Sequence, residues 1–222
     1  MTLNQEQLNT IKYALEKRDL DYVDLKYELL DHIATEIEQI MSKDESVSFK
    51  DASDIAFDKW RIALNDYSSF WLGIGYSKPK ILIDSCVSIV KDLTFKLVGF
   101  GVLISLLLFL ILKVYPLEVS DGFASVVGIF QYAIVAILLV LFLIIKRSGF
   151  KTSYSFVYNI NVVSLVLYYV LFNVGFGIYA IKSQDFDFIN IFIQVEMLLY
   201  PFYAYWMFKK HFNVKKNVLR LV

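Results

Sequence analysis

Two sets of residues in this 222-residue chain have types and spacings that could do chemistry. Glu28, His32 and Glu36 stand four residues apart, with Asp31 beside them. On a helix that spacing lines carboxylate, imidazole and carboxylate along one face, and zinc or iron takes such ligands. One helix rarely closes a metal site, and the other histidine is distant, at His211. The preferred reading is therefore structural: His32 bonded to a neighbouring carboxylate or capping a nearby helix end. No cofactor is expected. The second set is Ser105, Gln131, Asn173 and Glu196, each inside a different apolar run. Counted from the outer ends of those runs, all four lie at about the same depth, roughly 10–12 Å down. An ionisable residue inside a bilayer is costly and faces a bundle interior, a cavity or a partner. Two roles fit Glu196. One is a proton- or cation-binding carboxylate with Gln131 and Asn173 as co-ligands. The other, which is preferred, is an interhelical hydrogen-bond clamp. Pro201, five residues on, withholds a backbone donor from Met197 and predicts a kink.

These residues need elements to position them, and the composition says which. The chain is 57% hydrophobic, with a mean hydropathy of +0.54. Runs of 18 or so apolar residues read as membrane spans. They are expected near 97–112, 123–145, 156–181 and 189–208, with short connections, so that neighbours run antiparallel in an up-down four-helix bundle. Before them, residues 80–96 carry Asp84, Ser85, Ser88, Lys91 and Asp92 on one stripe and apolar residues elsewhere, the pattern of an amphipathic juxtamembrane helix. The beginning of the chain has no basic stretch followed by an apolar one, so no cleaved signal peptide is expected. The single cysteine, Cys86, excludes an internal disulfide.

Residues 1–66 read as a small three-helix domain and 67–79 as a linker with Gly73, Gly75 and an aromatic cluster. Asn4 with Gln7 has the form of a capping box, and Asp21 and Ser48 are the caps expected for the second and third helices. Leu25, Leu29, Ile33, Ile37 and Ile40 form the second helix's apolar face; Ala52, Ile55, Ala56, Trp60 and Ala63 form that of a third helix running to about Leu64. A core this small is marginal alone, which points to docking or self-association through residues 1–65. The run Asp24-Leu25, Glu28-Leu29-Leu30-Asp31-His32-Ile33, Glu36-Ile37-Glu38, with Ser48-Phe49-Lys50-Asp51-Ala52 after it, resembles a HAAS-type helical domain over about residues 4–64. The resemblance implies a cytosolic interaction or regulatory module on a bacterial membrane protein, with no catalysis of its own.

Residues 1–77 hold fifteen acids and eight bases, and the remainder seven and fourteen. An acidic front domain is unsuited to nucleic acid. Of the lysines and arginines near span ends, twelve fall on one side, among them Lys209, Lys210, Lys215, Lys216 and Arg220 of the basic tail 209–222; Lys113 and Lys182 alone fall on the other. The positive-inside rule then puts both termini in the cytoplasm, and the tail reads as a membrane-surface segment. No P-loop, HExxH or GxSxG occurs. The expected fold is all-α, and the expected function a non-enzymatic signalling or assembly role at the inner membrane, in contact with the bilayer and with a protein partner or second copy. The alternative is a small homo-oligomeric channel or transporter using the Glu196 layer.

Overall fold

A computed structural model describes residues 2–73, 75–115, 121–168 and 187–218. Helix α1 (Gln5–Glu16) begins with the predicted box. Asn4 Oδ1 accepts from the Gln7 amide at 2.9 Å, and Gln7 Oε1 accepts from the Asn4 amide at 2.8 Å. Each bond satisfies an amide that the first helical turn leaves without a partner. Replacing Asn4 with Ala is expected to lower front-domain stability by about 1 kcal/mol. Denaturant unfolding in detergent measures it, and an unchanged midpoint would make the box dispensable.

Helix α2 (Val23–Lys43) starts differently from the sequence expectation. Its cap position is Tyr22, with no side-chain cap bond. Asp21 is turned away to Lys151 Nζ at 2.5 Å, because an ammonium competes successfully with a neutral amide for a carboxylate. Both α1 and α3 (Phe49–Lys59) pack against α2. The core between them is Ile11, Leu15, Leu29, Ile33, Ile37, Ala52 and Ala56. Ile55, expected on the buried face, is 55% exposed. The third helix is also shorter than expected: it ends at Trp60 (ψ −1°), and a separate turn, α4 (Arg61–Leu64), follows.

The segment read as a linker is tied at both ends. Strand β1 (Asp66–Tyr67) pairs antiparallel with β2 (Lys78–Pro79), so Pro79 lies in a strand and not in a helical turn. Lys80 N donates to Asn65 O at 2.9 Å. Between them a 3-10 turn (Phe70–Leu72) buries Leu72 and leaves Phe70 exposed. The juxtamembrane helix and the first span are one helix, α5 (Lys80–Val114). Its early apolar residues Leu82, Ile83 and Cys86 are fully buried in protein, so this stripe packs inward and does not lie on a bilayer surface. Helix α6 (Asp121–Arg147) follows, then α7, described over Ser153–Tyr168, and α8 (Phe188–Val218). The tail expected from residue 209 is the end of α8, which continues through Pro201.

The fold is all-α. Among the described residues, two helices are long and apolar enough to cross a membrane: α5, whose most apolar 18-residue window has mean hydropathy 2.7, and Ser125–Arg147 within α6, with 2.8. The second half of the predicted third span, from residue 169 on, lies outside the described residues. Helix α8 is less apolar, since it carries Asn190, Gln194, Glu196 and three tyrosines. The chain divides into two compact units. Unit one gathers Met1–Ile89, Phe150–Phe156 and His211–Val222; unit two comprises Val90–Gly149 and Val157–Lys210.

Candidate functional site

Unit one holds the more elaborate polar constellation, and it forms where three distant parts of the sequence meet. Helix α7 is capped by Thr152, whose Oγ1 accepts from the Ser155 amide at 3.1 Å. In return Ser155 Oγ accepts from the Thr152 amide at 2.9 Å. The carboxylate of Asp24, in the first turn of α2, then accepts from the Ser153 amide at 3.1 and 3.0 Å and from Ser153 Oγ at 2.6 Å. An anion thus sits at the positive end of α7, bonded to the Ser153 amide, which the helix cannot satisfy itself. Val23 N donates to Lys151 O at 2.9 Å, so main chain as well as side chain joins the start of α2 to this loop.

His211, from α8, completes the cluster. Its Nδ1 lies 2.9 Å from Thr152 Oγ1, and its ring stacks on Phe150 with centroids 4.2 Å apart and planes 3° from parallel. His211, Thr152 and Ser153 are all at most 1% exposed. Tyr22 and Tyr76 each set an edge against Phe156. The Cys86 thiol points at Ser153 O at 3.8 Å and is buried, which leaves it as core packing. A hydroxyl beside an imidazole is also the pairing of nucleophile and base. Here Thr152 Oγ1 already caps a helix and has no solvent access, so the pair holds structure together. Sequence reasoning missed this cluster: residues 24, 152 and 211 are too far apart in the chain for spacing to reveal them.

The structure does not gather Glu28, His32 and Glu36 around one point. Glu36 accepts from Lys59 Nζ at 2.5 Å and from Trp60 Nε1 at 3.1 Å. His32 is exposed and lies along Trp60, and Glu28 is exposed. Among the described residues no group of three or more His, Cys, Asp or Glu could hold a metal. The hydrogen bond from Lys59, and that from Trp60, hold the Glu36 carboxyl below the usual glutamate range. The hydrogen bond from Lys26 does the same for Glu16, and that from Lys78 for Asp19. A carboxyl lowered in the folded state contributes stability above its unfolded value and loses it as pH falls through its folded value. The front unit is therefore expected to lose stability on acidification below about pH 4.5, and Glu36→Gln to flatten part of that loss. Thermal unfolding against pH checks this; a stability that rises in acid would contradict it.

No family model matches the chain. No curated protein and no solved structure matches it either. Geometry alone therefore carries the functional reading.

In unit two the polar residues predicted at one depth divide into two groups around α8. Gln131, 1% exposed, is bonded to Gln194. Glu196 faces α5 instead. A Cβ at Gly101 would stand 1.8 Å from Glu196 Oε1 and 3.1 Å from Phe192 Cε2, so only glycine admits this approach. Ser105, fully buried, is one turn further along α5. Asn173 lies outside the described residues. Gln194 and Gly101 were not singled out by sequence; residues two apart on a helix point to different sides, which separates Gln194 from Glu196. Of the basic tail, Lys209, Lys210 and Lys216 are exposed, and Lys210 lies over the Trp206 ring; Arg220 lies outside the described residues.

Proposed function

We propose that this chain is a multi-pass inner-membrane protein with both termini in the cytoplasm. Its HAAS-like helical front module regulates or assembles a four-helix membrane domain, without catalysis, by gripping the loop after α6 and the end of α8. The observation that carries this reading is the Asp24 carboxylate bonded to the Ser153 amide and hydroxyl. A module that merely hung from a flexible linker would need no such bond.

Two further observations support it. The segments 1–89, 150–156 and 211–222 that form unit one are those that the lysine and arginine distribution assigns to one side of a membrane. Their packing together requires that they share a side. The most apolar window of α5 is only 11% buried in protein. A helix that apolar would be mostly covered in a soluble core, so lipid is the natural cover. Docking then occurs through the front module, to a protein partner or to a second copy.

The test is crosslinking of the full chain in native membranes with a short lysine-reactive reagent, mapped by mass spectrometry. The expected result is a reproducible set of crosslinks from residues 1–65 to another polypeptide, a second copy included, altered by Asp24→Ala. Crosslinks confined to the chain itself would remove the docking role.

A further inference from the structure

We propose that Glu196 is a binding site for one monovalent cation, a proton or an alkali ion, set between α8 and α5. The inference rests on the membrane-spanning part of the reading above and is independent of what the front module does. It begins from an imbalance. Among the described residues, Glu196 Oε1 is buried without a hydrogen-bond partner, and so are Ser105 Oγ and Tyr200 Oη. Buried polar atoms are nearly always satisfied, so three on neighbouring turns of one helix pair require an explanation.

The helix packing defines how these groups share one seam. Phe109 meets Phe188 edge to face, Gly101 meets Glu196, and Leu97, Thr94 and Val90 share a cavity wall with Tyr200, Tyr203 and Met207. Helices α5 and α8 therefore run antiparallel, in register, turn against turn. Glycine at 101 and serine at 105 are the small residues on an otherwise bulky stripe. Gly101 lets the carboxylate reach the α5 backbone, and Ser105 keeps a hydroxyl on the same face. One turn beyond Glu196 lies Tyr200, and then a cavity of about 50 Å³ that Asn161 also lines. That space has room for a water, and Tyr200 and Asn161 are groups able to bind one.

A buried carboxylate without a countercharge is not tolerated in an apolar medium: it takes up a cation or a proton. Among the described residues, the surroundings of Glu196 supply no countercharge of their own. The titratable and charged groups that interact with Glu196, Tyr200 or Tyr203, among the described residues, are these. Tyr200 and Tyr203 are on α8 itself. Asp92 and Lys96 on α5 are paired with each other at 2.7 Å. Tyr158 on α7 donates to Leu138 O at 2.9 Å. Helix α6 has no charged residue between Phe123 and Ile145. The cation then comes from solution, by way of the cavity beside Tyr200.

The test uses the full-length protein in membranes, after a carbonate wash, treated with dicyclohexylcarbodiimide, an apolar reagent for protonated carboxyls, and mapped by peptide mass. The expected result is an adduct at Glu196 that declines as pH is raised and is lost in Glu196→Gln. If an alkali ion shares the site, sodium slows the reaction where choline at equal ionic strength does not; if only a proton does, the two salts act alike. Gly101→Ala, which retains the carboxyl but forces it off α5, is expected to change the labelling rate while Glu196→Gln abolishes labelling. No adduct at any pH in washed membranes that retain the protein would overturn the cation site alone. Release of the protein by carbonate would overturn the membrane reading and the site with it.

Discussion

Asp24→Ala is expected to lower the stability of unit one by about 3 kcal/mol and to release the start of α7. The carboxylate accepts three hydrogen bonds, two from one amide and one from a hydroxyl, all part-buried. Bonds to a charged acceptor contribute roughly 1.5–3 kcal/mol, and the buried donors left behind would add their own desolvation cost. In a chain of this length such a loss corresponds to a fall in unfolding temperature of roughly 6–12 °C. Hydrogen exchange gives a local reading as well. Protection of the Ser153 amide is expected to fall about a hundredfold, because 1.4 kcal/mol is a factor of ten in an opening equilibrium. Asp31→Ala, on the exposed side of the same helix, is the control and is expected to remain within about 0.5 kcal/mol of the parent. Equal effects from the two substitutions would mean that Asp24 contributes only general charge.

His211→Ala is expected to lower stability by a similar amount, about 3 kcal/mol, through a different loss. The ring is fully buried, stacked on Phe150 and hydrogen-bonded to Thr152. Removing it leaves a cavity and an unsatisfied hydroxyl, and truncating a buried aromatic typically costs about 3–5 kcal/mol. The two substitutions act on neighbouring residues at the head of α7, Thr152 and Ser153. They are therefore expected to be non-additive, with a coupling of about 1 kcal/mol or more in a double-mutant cycle. Simple additivity would show that the two contacts are independent struts and not one clamp. This outcome is also why point variants are more informative than truncation. A chain beginning at Lys78 would lose β1, the partner of β2, and would uncover Leu82, Ile83 and Cys86, which unit one buries.

The sequence disclosed whatever depends on local order. The Asn4 box, the Ile33 and Ile37 stripe and the Ala52 and Ala56 contact all follow from spacing within one helix, and each occurs as read. It misled where a distant partner outbid a local one. Asp21 is a good cap by type, yet Lys151 holds it. The stripe at 80–90 has the period of a surface helix, and periodicity does not tell whether lipid or protein covers it. In unit two, helical spacing placed each polar residue along its own helix. Azimuth was not legible, and so Gln131 found Gln194 while Glu196 found Gly101.

The most direct test of the central claim asks whether the front module and the loop after α6 touch in the membrane. Asp21 and Lys151 are ion-paired at 2.5 Å, and Tyr22 bridges to Lys151 along the backbone. Both side chains reach solvent, and neither belongs to the Asp24 cluster. With Cys86→Ser as background, Asp21→Cys and Lys151→Cys are introduced together, and isolated membranes are oxidised. The account predicts an intramolecular disulfide, seen as a compact band that reductant abolishes and that neither single variant gives. Two cysteines that each react with a maleimide, yet form no disulfide with each other, would mean that the module does not hold the loop, and the clamp would be wrong.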